Sequence, residues 1–308
     1  MATTRAVTRP SGVRIWLMAA RVRTLPAAIA PVLVGTALAG FFGVFHPLRF
    51  LAALIGAMFI QIGTNLSNDY SDARRGADTE DRLGPMRVTA GGLVPPRTVL
   101  LWTYLTFGAA ALCGVYLVIV AGWELLVLGV LSILAGVLYT GGPRPYGYEG
   151  LGEVFVFLFF GLVAVTGSAF AQLQSWPWES FALAVPVGLL VTAILVVNNI
   201  RDMDTDRRAG KRTLAVRLGR ERARLEYTLL MVGGFVVLLP IAAIEIADSD
   251  SWTALWWLLP WLMLPLAVRL IRVVGTHVDG PTLNGALART AALQLLFCVL
   301  LTIGILIS

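Results

Sequence analysis

The sequence predicts an all-α protein that crosses a membrane nine times, and three observations carry that prediction. Hydrophobic residues make up 57% of the 308 residues and charged ones only 14%, with a mean hydropathy of +0.80. Soluble domains are about half apolar and a quarter charged. The apolar residues gather into continuous runs near the length that spans a bilayer, about 20 residues each. The basic residues fall almost wholly between alternate runs, on one predicted face.

The first run, 24–45, follows a short N-terminal tail, 1–14. Runs 50–67 and 98–120 bracket a long polar loop, and 122–140 and 151–172 flank a turn rich in Gly and Pro. Run 180–199 leads into a charged segment, and 225–247, 252–274 and 285–307 complete a single domain over 1–308. Each is expected to be a helix, because lipid offers the backbone no hydrogen bonds and the runs lack the alternation of a barrel strand. The second and fourth runs are short and contain polar residues.

With the N-terminus in the cytoplasm, every basic residue except Arg49 falls on the cytoplasmic side. One helix more or fewer would scatter them over both faces. This sidedness predicts a multi-pass protein of a bacterial plasma membrane, with the N-terminus inside. Glu179, Glu245, Asp248 and Asp250 lie on the outer side with Trp176, Trp178, Trp252, Trp256 and Trp257, read as an interfacial belt. The net charge of +6 and pI near 9.8 do not indicate nucleic acid, since no soluble basic segment exists to bind it. Cys113 and Cys298 lie within runs and read as packing thiols. No cleavable leader is expected, because the first apolar run is full length.

Two cytoplasmic segments differ from the rest. "NLSNDYSDARRGADTEDRLGPMRVTAGGL" spans Asn65 to Leu93, and "NNIRDMDTDRRAGKRT" spans Asn198 to Thr213. Each places asparagine at the end of an apolar run, then aspartates at helical intervals, then arginines and a glycine. Asn65, Asp69 and Asp72 are spaced i, i+4, i+7; Asn68 and Asp72 are i, i+4; Asn198, Asp202 and Asp206 are i, i+4, i+8. On extended helices each set shares a face. Two such faces opposed would form an oxygen-rich cage, and carboxylates so close need a positive charge between them.

Oxygen donors without thiol or imidazole suit a hard cation, and Mg²⁺ uses one or two carboxylates plus phosphate oxygens. The expected ligand is therefore a Mg²⁺-bridged phosphate ester, flanked by Arg74, Arg75, Arg82, Arg87, Arg201, Arg207, Arg208 and Lys211. In a membrane this implies a lipid-tailed diphosphate, its chain among the helices and its headgroup in a central cavity open to the cytoplasmic side. A solvated set of helix-capping charges explains one such loop more readily than two. A divalent-cation transporter is the reading from another class, but transporters place such groups near the bilayer midplane. Here arginines beside the clusters repel a bare cation.

At these loops the chain resembles the UbiA superfamily of intramembrane aromatic prenyltransferases. "NDYSD" looks like its first Asp-rich motif and "DMDTD" its second. "GPMRVTAGGL" and "RVRTLPAAIAPVLVG" are similar to the dihydroxynaphthoate branch, although Gly76 stands where many members carry a further Asp. The resemblance implies transfer of a polyprenyl chain from its diphosphate to 1,4-dihydroxy-2-naphthoate, with loss of pyrophosphate and CO₂, giving a demethylmenaquinol. Another acceptor such as 4-hydroxybenzoate is the alternative. By motif position Asn68, Asp69 and Asp72 would hold one Mg²⁺, and Asp202 and Asp206 the other. Lys211 with Arg74, Arg82, Arg87 and Arg144 would grip the diphosphate, with Asn65 and Asn198 supporting, and Asp204 would face solvent. Asp78 is either the base for the acceptor hydroxyl or a loop cap. Tyr139 is expected beside the acceptor. Arg23 either pairs with the acceptor carboxylate or only enforces topology.

Overall fold

A computed structural model describes residues 11–77, 83–249 and 251–308. Among the described residues every regular element is helical. The nine predicted runs appear in order as α1 (Gly12–Phe41), α2 (Pro47–Arg74), α3 (Pro96–Ala121), α4 (Glu124–Leu138), α5 (Gly152–Leu173), α6 (Trp178–Arg208), α7 (Arg220–Asp248), α8 (Trp252–Thr276) and α9 (Gly280–Leu306). Eight of these are long and apolar enough to cross a membrane, and α4 is shorter at 15 residues. Glycines at both ends limit it: Gly122, at φ +146, ends α3, and Gly142, at φ +74, lies in the turn that follows α4. At 1.5 Å per residue α4 is only about 22 Å long.

The ends differ from the predicted runs in an informative way. Helix α1 begins at Gly12, inside the predicted tail, and breaks at Arg21, whose backbone is left-handed at φ +49. The 3₁₀ turn Val22–Thr24 then leads into Leu25–Phe41, started by Pro26. Asn65 on α2 donates from Nδ2 to the Ala20 carbonyl and to Thr24 Oγ1, both at 3.0 Å, so a neighbouring helix satisfies groups at the break. Helices α2 and α6 run well past their apolar segments, to Arg74 and Arg208, and carry the acidic motifs on these extensions.

The main core joins α1, α5, α6, α7, α8 and α9. Phe235 and Phe297 meet edge to face at 5.3 Å, and Tyr227 and Thr290 share a 2.8 Å hydrogen bond. Without a hydrophobic drive between helices in lipid, close backbone approach supplies much of the packing. A methyl group on Gly161 of α5 would lie 2.6 Å from the Gly188 Cα of α6, and one on Gly35 of α1 would lie 2.2 Å from the Val165 carbonyl oxygen. Asp279 caps α9, accepting from the Thr282 amide at 2.9 Å, a bond that holds its carboxyl below the usual range.

One expectation is altered, and one exception is explained. Trp257 is not a belt residue: it is fully buried, packs edge-on against Phe41 at 5.6 Å and donates to Ser308 Oγ at 3.0 Å. The other four belt tryptophans are exposed. Arg49, the exception to the charge asymmetry, donates to the carbonyls of Ala171 and Gln172 at 3.3 Å, closing the last turn of α5. Its position answers to a helix end rather than to topology.

Gly161→Ala is expected to destabilise the protein by about 1–3 kcal/mol, because backbone blocks the new methyl. Gly114→Ala, with open space around its Cβ, should leave stability unchanged or slightly raised. Thermal unfolding of both variants in detergent checks the contrast.

Candidate active site

The extended ends of α2 and α6 converge on one cavity of about 520 Å³. Asn65, Asn68 and Asp72 face it from α2, and Asn198, Asn199, Asp202 and Asp206 from α6. Arg87, Tyr139, Tyr148 and Lys211 reach it from the loops between helices. Below this polar rim the wall is apolar, including Leu117, Leu128, Phe155, Phe159 and Phe160. The two phenylalanines at 159 and 160 belong to a π-helical turn, Phe157–Val163, a wider turn often found at functional sites.

Carboxylates here sit at helix C-termini, where exposed carbonyls already make the potential negative. Buried cations offset this. Asp72, 1% exposed, accepts from Tyr148 Oη at 2.5 Å and pairs with Arg87 at 3.3 Å and Lys211 at 3.5 Å. The Lys211 ammonium also lies 4.7 Å from the centre of the Tyr148 ring. Asp202 is held in a fork by Arg201, through Nε at 2.8 Å and through Nη2. Arg201 is anchored in turn by Asn198 Oδ1 at 2.8 Å and Asn284 Oδ1 at 2.7 Å. Asn68 Oδ1 accepts from Thr140 at 2.8 Å. Burial pushes the phenols of Tyr139 and Tyr146 well above their ordinary range, so both stay protonated donors.

Not every expected residue is brought into the cavity. Asp69 is 2% exposed and accepts the backbone amides of Val88 at 3.1 Å and Thr89 at 3.0 Å, one on each oxygen. In the structure both of its oxygens hold the turn that delivers Arg87, and Asp69 is not among the residues lining the cavity. Three positions from Asp72, it lies close to it on α2, and it is the folded loop that takes up its oxygens. Arg74 turns to the Tyr70 hydroxyl at 3.1 Å in an exposed position, and Arg144 is exposed away from the lining. Arg23 is exposed too, whereas Arg21, at the break in α1, lines the cavity. Asp204 is exposed and pairs with Arg220 at 3.0 Å, as a solvent-facing group. Asp78 and Arg82 lie outside the described residues.

Sequence reasoning misses Tyr148 and Arg21, and it does not separate Arg201 from the cations around it. The available signal for Tyr148 is the run of tyrosines in "GPRPYGYEG", and the two arginines are hidden among many others.

The donor set fits Mg²⁺. Asn68, Asp72, Asp202 and Asp206 offer only oxygen, the chemistry of a hard cation. Among the described residues no three Asp, Glu, His or Cys side chains form a metal-holding group by themselves. A site of one or two carboxylates completed by phosphate oxygens is the usual arrangement for Mg²⁺, which rarely uses an all-protein cage.

Fold and site together define a multi-pass helical membrane protein with an acidic and basic rim over a lipophilic cavity. The chain belongs to the UbiA prenyltransferase family, whose profile matches residues 28–283. It is 40% identical over 304 residues to the 1,4-dihydroxy-2-naphthoate octaprenyltransferase of Escherichia coli K12, covering 97% of each chain. It is 40% identical over 285 residues to the Mycobacterium tuberculosis enzyme of the same name, covering 92% of this chain and 94% of that one. Its fold is similar to that of a UbiA homolog from Archaeoglobus fulgidus, solved bound to DMAPP and Mg²⁺: the TM-score is 0.67 at 14% identity, over 94% of this chain and 98% of that one.

Asp69→Asn removes one of two backbone-accepting oxygens. Hydrogen exchange at Val88 and Thr89 should speed up by about tenfold or more, the loss of one hydrogen bond to a charged group, while exchange in α5 to α9 stays unchanged.

Proposed function

We propose that this protein transfers a polyprenyl group from a polyprenyl diphosphate to 1,4-dihydroxy-2-naphthoate, with release of pyrophosphate and CO₂, forming a demethylmenaquinol. The observation that carries this reading is the meeting of two acidic helix ends and two loop cations, Arg87 and Lys211, at the rim of one apolar cavity. The substrate named for both relatives supports the acceptor.

Bound Mg²⁺ would supply Lewis-acid charge to the departing diphosphate oxygens. Asp72, Asp202, Asp206 and Asn68 are the residues that would hold it. Lys211 and Arg87, already aimed at Asp72, are placed to take phosphate oxygens. Tyr148 keeps Asp72 oriented through its hydroxyl. As the bond between C1 and the diphosphate oxygen breaks, positive charge develops on the allylic carbon, and the walls formed by Phe155, Phe159 and Phe160 keep water away from it. The ring carbon bearing the carboxylate then bonds to C1. The electron pair of its bond to CO₂ returns to the ring. Arg21, in place of Arg23, is the cation on this cavity for the acceptor carboxylate, and Asp78 is assigned as the base for the ring hydroxyl.

The asymmetry of charge supports a site and an N-terminus on the cytoplasmic side of a bacterial plasma membrane.

Asp72→Asn and Asp202→Asn should each lower turnover about a hundredfold or more while the protein stays monodisperse in detergent, and excess EDTA should abolish turnover of the wild type. Near-normal rates in either variant or in EDTA would remove the metal reading. With acceptor labelled at its carboxyl carbon, one labelled CO₂ should appear per prenylated product. A product that keeps the label would point to an acceptor of the hydroxybenzoate type.

A further inference from the structure

One buried carboxylate near the cavity has no part in the chemistry above. Glu153 lies in the first turn of α5, 5% exposed, and its Oε1 accepts from Asn199 Nδ2 at 2.8 Å. Asn199, on α6 and also 5% exposed, lines the cavity. The other Glu153 oxygen, Oε2, is buried with no hydrogen-bond partner. A half-satisfied buried carboxylate is costly and calls for an explanation.

We propose that Glu153 and Asn199 form a recognition site for a hydroxyl group of the aromatic acceptor, with Asn199 touching the ligand and Glu153 fixing how Asn199 is turned. This rests on the reading that a hydroxylated aromatic compound enters the cavity.

Oε1 of Glu153 accepts from the amide, and an amide presents two donor hydrogens at one end and an acceptor oxygen at the other. Glu153 therefore holds the Asn199 NH₂ and leaves Oδ1 as the end available to a ligand. No described residue donates to Asn199 Oδ1, and it is not among the sealed polar atoms of the interior. A ligand O–H is its complement. A phosphate, which has only acceptors when ionised, is repelled by the same oxygen.

Asn199 lies three residues before Asp202, about 4.5 Å deeper along α6. The site is thus one turn below the diphosphate rim, where a ring must lie to reach C1. Tyr139 closes the same wall: a methyl group on Gly152, the residue before Glu153, would lie 3.6 Å from the Tyr139 hydroxyl. Tyr139 and Asn199 both line the cavity, and a phenol hydroxyl and an amide oxygen there can read one hydroxyl as both donor and acceptor. Glu153 is a positioning residue in this arrangement, because it is absent from the cavity lining.

The test compares wild type, Glu153→Gln and Asn199→Leu in lipid nanodiscs, measuring KM for the acceptor and for the prenyl diphosphate separately. It also measures discrimination between the acceptor and its O-methylated analogue. The glutamine side chain of the Glu153→Gln variant is close to isosteric but can donate, which frees Asn199 to turn its NH₂ toward the ligand. The expected result is an acceptor KM raised about tenfold or more in both variants, the loss of one buried hydrogen bond. The prenyl diphosphate KM should stay within about twofold of wild type, and discrimination against the methyl ether should be largely lost. An unchanged acceptor KM in Glu153→Gln overturns the inference. So does a parallel rise in both KM values with a lowered Tm, the pattern of a structural brace. If wild type ignores the naphthoate but prenylates another hydroxyarene, the substrate assignment fails, and the same comparison is decided on that hydroxyarene. If no hydroxylated aromatic is prenylated, both fall.

Discussion

The arrangement of the polar rim follows from one constraint: buried carboxylates at the carbonyl ends of two helices must be matched by cations. Asp69 and Asp72 on α2 are almost wholly removed from solvent, where an unpaired charge is prohibitively costly. Each recruits a different loop. Asp69 gathers the amides of Val88 and Thr89, and the turn so formed carries Arg87 to Asp72. The loop after α6 is pinned by Lys211 N–H to the Asp206 carbonyl and Arg212 N–H to the Tyr148 carbonyl, both at 2.9 Å, which sets Lys211 and Tyr148 together against Asp72. Three separate loops therefore take their shape from the charge of α2. On α6 the same requirement is met within the helix, by Arg201 against Asp202.

This balance also explains how one cavity joins two kinds of chemistry. The rim is charged and closely paired, while the wall beneath it is aromatic and aliphatic. A ligand with an ionic head and an apolar tail is stabilised at both ends only across that boundary. Pairing at the rim is poised for exchange, since the guanidinium and ammonium groups that hold Asp72 are equally suited to phosphate oxygens.

Much of this was legible in the sequence. Hydropathy located each helix, and the two acidic motifs at helical spacing pointed to opposed faces, because helix periodicity and the cost of charge in lipid are local properties. What escaped depended on distant partners. Asp69 has the same residue type and nearly the same spacing as Asp72, and only the folded loop distinguishes a carboxylate that binds backbone from one that faces a cavity. Arg21 and Arg23 differ by two positions, and a break in α1 that Asn65 helps to satisfy decides which one turns inward. Trp257 was indistinguishable from its exposed neighbours until α9 and α1 closed over it. Arg49, the exception to the charge asymmetry, is a helix-end clamp.

The glycines differ sharply in the room around them. On α1, α5 and α6 an added side-chain carbon meets backbone at Gly35 and Gly161, so those walls have no freedom to move in or out. Gly114 on α3 and Gly129 on α4 line the same cavity with open space around them. Remodelling of its width, whether by natural drift or by engineering for longer and shorter isoprenoid tails, is therefore channelled to these two positions.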